Sequence, residues 1–373
     1  MGLFMKIEEI QLYQLSIPFI RPFQFSNGEL CNHDCLIVAV KSEGIIGWGE
    51  CPVFPIPYYT YETIATASHI LKDFLIPQLL GKSIDSLVAL NKVFSRVRGH
   101  NMAKSCLDAA ICDLLARVNS VSLSQFLGGE KKRIQVGVSV SMQDNLIYLL
   151  QRIEDYIQQG YQRIKLKIAP NYAIQPLKTI REKYPYLTLM ADANSSFSLN
   201  DIDLLKALDE FDLLMIEQPL AHDDLLDHAY LQTLIKTPIC LDESINNLHD
   251  TRVAIALQAG KIINLKPSRV GGISNALQIH DLCQKAGIKL WCGGMLESGI
   301  GRATNLHLAS LSNFTLPADI SATNRYFYED IIHQVFSLNS SDSTIDVPQG
   351  FGIGVDINQE SFNKFVQTCD TYR

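Results

Sequence analysis

Ile164-Lys165-Leu166-Lys167-Ile168 alternates aliphatic and ammonium side chains with a period of two. That is the pattern of a strand with two chemically different faces. Short apolar or β-branched runs recur around it, each followed by a helical stretch. They are Ile134–Val140, Arg163–Ile168, Leu187–Asp192, Leu213–Glu217, Pro238–Asp242, Ile262–Lys266, Ile288–Cys292 and Thr315–Asp319, and successive starts differ by 24–29 residues. This is the length of one strand plus one helix. Eight strands alternating with helices predict an α/β chain built as a parallel (β/α) barrel. In a barrel the aliphatic face meets the outer helices, so Lys165 and Lys167 both point inward. No clear helix separates the eighth run from the Ser-rich turn at Ser337–Ser343, so the expected form is (β/α)7β.

Upstream of the barrel the pattern is different. Ile7–Pro18, Cys35–Val40 and Ile45–Glu50 read as strands of an antiparallel meander, with a turn at Lys41-Ser42-Glu43-Gly44. Tyr61–Phe74 and Met102–Val118 have helical spacing, and Gly128-Gly129 closes the unit. The expected organisation is an α+β capping domain over 1–130, a modified barrel over 131–325, and a segment over 326–373 that returns to the cap.

Composition narrows the function. Of 373 residues 47% are hydrophobic and 19% charged, and the net charge is −7. A mildly acidic chain is a poor polyanion binder, which disfavours nucleic acid and anionic membranes. No apolar run reaches the ~18 residues of a membrane span. The nine cysteines include no CxxC pair, so reduced thiols and a cytoplasmic location are expected. The histidines, His33, His69 and His222 among them, show no metal spacing.

Charged residues cluster at the C-terminal ends of the barrel runs, where barrel enzymes place their sites. The third run ends in Asp192 and Asn194, the fourth in Glu217, the fifth in Asp242 and Glu243, and the sixth in Lys266. Asp192 to Glu217 is 25 residues, Glu217 to Asp242 is 25, and Asp242 to Lys266 is 24. Three carboxylates at equal depth on adjacent strands converge as hard oxygen ligands, which suits Mg²⁺, with Mn²⁺ as a substitute. Asn194 and Glu243 read either as supports behind those ligands or as helix N-caps. A lysine has an ordinary pKa of ~10.4. A dication and a neighbouring ammonium both lower it, which makes Lys165, Lys167 and Lys266 candidates for proton transfer next to a metal-held carboxylate.

This set, Lys-x-Lys followed by Asp, Glu, Asp and Lys on successive strands, resembles the enolase superfamily in its muconate-lactonising subgroup. Gly99-His100-Asn101-Met102-Ala103-Lys104, Lys266-Pro267-Ser268-Arg269-Val270-Gly271-Gly272, Trp291–Gly299 and Thr315–Ala322 are similar to the o-succinylbenzoate synthase / N-succinylamino acid racemase family within it. The resemblance covers nearly the whole chain. It implies Mg²⁺ on Asp192, Glu217 and Asp242, with Lys167 and Lys266 on opposite sides of a small-molecule carboxylate. It implies removal of the proton next to the carboxylate through an enediolate, and loss of water from 2-succinyl-6-hydroxy-2,4-cyclohexadiene-1-carboxylate, a step of menaquinone synthesis. Racemisation of N-succinylamino acids is the alternative, followed by muconate cycloisomerisation and dipeptide epimerisation. The Asp-x-Asp associated with the epimerases is missing from Ala318-Asp319-Ile320-Ser321.

The resemblance also implies that Arg269 tunes Lys266, against the plainer reading of a surface salt bridge. Glu297, at the end of the seventh strand, either assists the substrate carboxylate or makes a structural hydrogen bond. Phe23–Gly28, with Phe25 and Ser26, and Pro52–Tyr59 look like two lid loops that close over the substrate. A homo-oligomer is expected.

Overall fold

A meander of three long strands begins the chain: β1 (Glu9–Phe25), β2 (Gly28–Ser42) and β3 (Ile45–Cys51). The computed structural model describes residues 6–25 and 28–373, and for residues 24 and 25 the backbone alone. Glu43 and Gly44, both at positive φ (49° and 80°), form the two-residue turn between β2 and β3. Positive φ at both positions gives the turn a twist that matches the flanking strands.

The helix Asn101–Val118 lies on this sheet at backbone distance. Gly47 and Gly49 allow that approach, because a Cβ on either would run into the helix at Cys106, Ala110 or Leu114. The hairpin differs from the expected lid loop. Phe23, Gln24 and Phe25 pair with Leu30, Glu29 and Gly28, so this segment is the tip of a two-stranded ribbon. The ladder is irregular between Pro18 and Phe23, where Pro18 and Pro22 cannot donate, and resumes beyond them. Ser26 and the side chain of Phe25 lie outside the described residues.

The barrel run expected over Ile134–Val140 divides in two. β4 (Arg133–Gln135) turns away, and β5 (Val138–Val140) enters the parallel sheet. Gly137 marks the break: Arg163 lies where its Cβ would stand, so only glycine fits. The sheet continues through β6 (Arg163–Lys167), β7 (Thr188–Asp192), β8 (Ile216–Glu217), β9 (Ile239–Leu241), β10 (Ile262–Leu265) and β11 (Lys289–Cys292), all parallel and in sequence order.

The eighth run is not a strand. Thr315–Asp319 spans the gap by single bonds: Thr315 N–H donates to Leu290 (3.1 Å), Asp319 N–H to Cys292 (2.9 Å) and Ala318 N–H to Gln135 (2.8 Å). Pro317, lacking an N–H, prevents a regular ladder. The barrel therefore closes through this segment, which bridges to β11 at Leu290 and to Val136 between β4 and β5.

β12 (Thr344–Asp346) pairs antiparallel with β4. The last strand, β13 (Val366–Tyr372), pairs antiparallel with β1, so the first sheet has the order β13-β1-β2-β3. Inside the barrel Met190, Met215, Cys240, Ile262 and Trp291 form a buried plug beneath the charged strand ends. The Trp291 indole N–H donates to Cys240 Sγ at 3.2 Å. Cys31 and Cys369 are exposed and the other cysteines buried. Among the described residues no helix is long and apolar enough to cross a membrane.

Candidate active site

The register of the parallel sheet sets the site. Lys167 pairs with Asp192, and Asp192 with Glu217, so three charged groups stand side by side at the C-terminal strand ends. Asp192, Glu217 and Asp242 are 2%, 0% and 1% exposed, which makes ionic or hydrogen-bonded partners obligatory. Lys165 Nζ supplies three contacts: Asp192 at 3.2 Å, Glu217 at 3.1 Å and Asp319 at 2.6 Å. Lys167 Nζ donates to Asp192 at 2.7 Å and to Asn194 Oδ1. Lys266 Nζ donates to Asp242 and to Tyr59 Oη, each at 2.9 Å. Arg269 pairs with the other oxygen of Asp242 and donates to Tyr59 Oη at 3.0 Å.

These groups face a cavity of about 1470 Å³ between cap and barrel. Lys165, Lys167, Asp192, Asp242 and Lys266 line it. Glu217 does not; it sits behind, between Lys165 and the Asn264 amide, which donates to it at 2.7 Å. Lys167 is the accessible lysine, its side chain 31% exposed against 7% for Lys165 and 9% for Lys266. Asn194 and Gln218, just past β7 and β8, hold φ of 39° and 40°. Non-glycine residues pay for that conformation, and such strain gathers at functional sites.

The carboxylates set the electrostatics. Burial pushes Glu217 up, and Asp192 adds to it, to about 8. Burial also raises Asp192, but Lys167 and Lys165 more than offset it, so the group lies well below the usual carboxylate range. Burial pulls Lys266 down, yet Asp242 outweighs it and holds the ammonium above its ordinary value. Lys165 follows the same direction, with Asp319 its strongest opposing partner. For Lys165 and Lys266 the neighbouring carboxylates thus outweigh both burial and the nearby cations.

Among the described residues the group whose potential ligand atoms lie within 4.8 Å of one another is His33, Cys35 and Glu50, not the three strand-end carboxylates. The strand-end set nevertheless fits a hard dication. Its donors are all carboxylate oxygens on adjacent strands, and Asp192 and Asp242 both add to the upward push that burial gives Glu217. His33 Nε2 lies 2.7 Å from Glu50 Oε1. The other contacts of Glu50 are N–H and O–H donors from Ser298 and Gly301, so this pair joins the cap to the barrel.

The remaining expected residues resolve individually. Asn194 donates to Glu243 at 2.9 Å, so the two support Lys167 and do not cap helices. Burial, then Asp242, pushes Glu243 up to about 7. Arg269 is 2% exposed, which rules out a surface salt bridge. Glu297 lies beyond the end of β11; it accepts from Met295 N–H (2.8 Å) and Asn305 (2.9 Å) while lining the cavity. Tyr59, Asn264 and Asp319 also belong to the site and are not among the side chains expected there. Asp319 carried a usable signal, a carboxylate closing an apolar run one βα period after β11. Tyr59 carried none beyond its place in an aromatic loop.

Residues 9–128 match the family model "Mandelate racemase / muconate lactonizing enzyme, N-terminal domain", and residues 148–361 match "Enolase C-terminal domain-like". The chain is 46% identical over 368 residues to the o-succinylbenzoate synthase of Bacillus subtilis (strain 168), covering 98% of each chain. It is 44% identical over 351 residues to the N-succinylamino acid racemase of Thermus thermophilus, covering 94% of this chain and 95% of the relative. An enolase superfamily member from Listeria innocua superposes with a TM-score of 0.96 at 43% identity, covering 98% of this chain and 99% of that one.

Proposed function

The chain belongs to the mandelate racemase / muconate lactonizing enzyme family of the enolase superfamily, and on that footing we propose that it dehydrates 2-succinyl-6-hydroxy-2,4-cyclohexadiene-1-carboxylate to o-succinylbenzoate. The observation that carries this reading is the pair Lys167 and Lys266, which line one cavity from β6 and from just beyond β10 with Asp192 and Asp242 between them. In this reading residues 1–130 form the cap, 131–325 the barrel, and 326–373 a segment belonging with the cap.

Asp192, Glu217 and Asp242 would hold a divalent cation, Mg²⁺ or Mn²⁺, which supplies charge to anchor the substrate carboxylate and to offset the negative charge that grows there. Lys167, the most accessible of the three lysines, takes the proton from the carbon next to that carboxylate. Its ammonium then returns a proton to the departing hydroxide, so the products are water and an aromatic ring. Lys266 keeps its proton and faces the electron-rich side of the substrate, its position fixed by Asp242 and Tyr59. Lys165 holds Asp192 and Glu217 in place from behind. Asn194 and Glu243 orient Lys167, Arg269 orients Asp242, and Glu297 shapes the far wall.

Racemisation of N-succinylamino acids is the second reading. Two lysines on different sides of one cavity are what proton exchange on both faces of a carbon requires, and a racemase is among the relatives.

The test is absorbance of the purified protein on the cyclohexadiene substrate, with and without Mg²⁺. Metal-dependent aromatisation is expected. Lys167→Ala and Lys266→Ala should each lose about 10²–10⁴-fold in kcat with an unchanged circular dichroism spectrum. Retention of more than a small fraction of activity by either variant contradicts the two-lysine arrangement.

A further inference from the structure

Of the lysines and arginines lining the cavity, all but one have an acidic partner. Lys165, Lys167, Lys266 and Arg269 share Asp192, Glu217, Asp242 and Asp319, and Arg302 pairs with Asp330 at 3.2 Å. Arg325 has no carboxylate partner among the described residues. Its Nη1 donates to Tyr156 Oη and its Nη2 to the Ser139 carbonyl, each at 2.9 Å. A guanidinium has five N–H donors, so most of its capacity remains for a ligand. The Tyr156 and Tyr326 rings stand 5.1 and 5.3 Å from it and fix its plane. Arg325 is half-buried and lines the cavity, so a charge with no carboxylate beside it faces whatever binds there.

Its position has a direction. Ser139 pairs with Lys165 in the β5–β6 register, and Ser139 Oγ donates to Asp319 at 2.9 Å. Arg325 therefore stands on the β5 wall, across the sheet from Asp242, Lys266 and Arg269. Phe23 of the cap hairpin meets Tyr326 edge-on at 6.4 Å and closes that side. The curated relatives are named for a succinyl group, a four-carbon acid ending in a second carboxylate.

We propose that Arg325 binds the terminal carboxylate of the succinyl chain, as the cavity's second anchor at the end away from the reacting carbon. This rests on the function proposed above and adds the basis for choosing dicarboxylates. The planar fork of a guanidinium suits a carboxylate bidentately, which an ammonium cannot reproduce.

The experiment compares o-succinylbenzoate with o-butyrylbenzoate, in which a methyl replaces the terminal carboxylate. Calorimetric binding in the presence of Mg²⁺ is measured for the intact protein, Arg325→Met and Arg325→Lys. The intact protein should prefer the succinyl compound by ten- to a hundredfold, the Met variant should lose that preference, and the Lys variant should keep part of it. If Met retains the preference, or weakens both ligands by the same factor, Arg325 is not the anchor, while the proposed reaction stands. If Met does not fold, the Lys variant decides: an undiminished preference overturns the assignment. Absence of any preference in the intact protein overturns it as well. If the intact protein neither binds o-succinylbenzoate nor forms it from the cyclohexadiene, the proposed reaction falls and the anchor falls with it.

Discussion

Asp192 shows how a single residue's setting follows from its strand. It ends β7 in register with Lys167 on one side and Glu217 on the other, and it is 2% exposed. Its charge is kept by two lysines, while Glu217, one strand along, is pushed up to about 8. Loss of a group that merely supports a metal ligand costs 10–100-fold in affinity, so loss of a direct ligand costs more. Asp192→Asn should weaken Mg²⁺ binding at least about a hundredfold by titration calorimetry. Unchanged affinity would remove Asp192 from the proposed ligand set. At this scale the sequence was informative wherever a residue's direction is set by its own strand: a period of two turns Lys165 and Lys167 to one face. It was silent on Tyr59, which reaches Lys266 from a loop 207 residues earlier.

Elements meet through a few buried acids. Glu50, near the end of β3, accepts from Ser298 N–H at 3.0 Å, Ser298 Oγ, and Gly301 N–H at 2.9 Å, at the start of the helix Gly299–Ala309. A carboxylate at a helix N-terminus satisfies free N–H groups and opposes the helix dipole. Burial pushes Glu50 up, but His33 and Ser298 pull it down further, so it lies below its ordinary 4.5. A depressed carboxyl stabilises the folded state above the unfolded pKa, and that contribution disappears as pH falls through the folded value. Glu50→Gln should therefore cost about 1–3 kcal/mol near neutral pH by urea unfolding. The gap from the parent protein should close as the pH is lowered below 4.5. A gap that stays constant into acid would show the carboxylate charge to be irrelevant. Element boundaries were legible where apolar alternation is uninterrupted, as in β6 and β7. They were not legible at Gly137, where Arg163 fills the side-chain space and the strand breaks, at Pro317, which has no N–H for a ladder, or across Pro18–Phe23, where the ladder resumes past two prolines.

On the scale of the molecule, the two ends of the chain share a sheet. β13 covers β1 from Ile10 to Leu15, leaving that edge protected. Deleting residues 366–373 should lower the melting temperature by at least about 5 °C and promote aggregation through the uncovered edge of β1. Light scattering and calorimetry check both, and an unchanged melting curve would mean the tail strand adds nothing to the cap. The sequence by itself determined the number and order of the βα units, the inward lysines, and the equal spacing of Asp192, Glu217 and Asp242. Each of those follows from local periodicity, which fixes a side chain's direction without knowing the rest of the fold. Only the tertiary structure decided that the barrel closes by bridges across Pro317, that Glu217 stands behind the cavity wall, and that Tyr59 and Arg325 face the cavity. Those depend on segments some two hundred residues apart meeting side by side, as Gly137 meets Ala318, and no local pattern encodes such a contact.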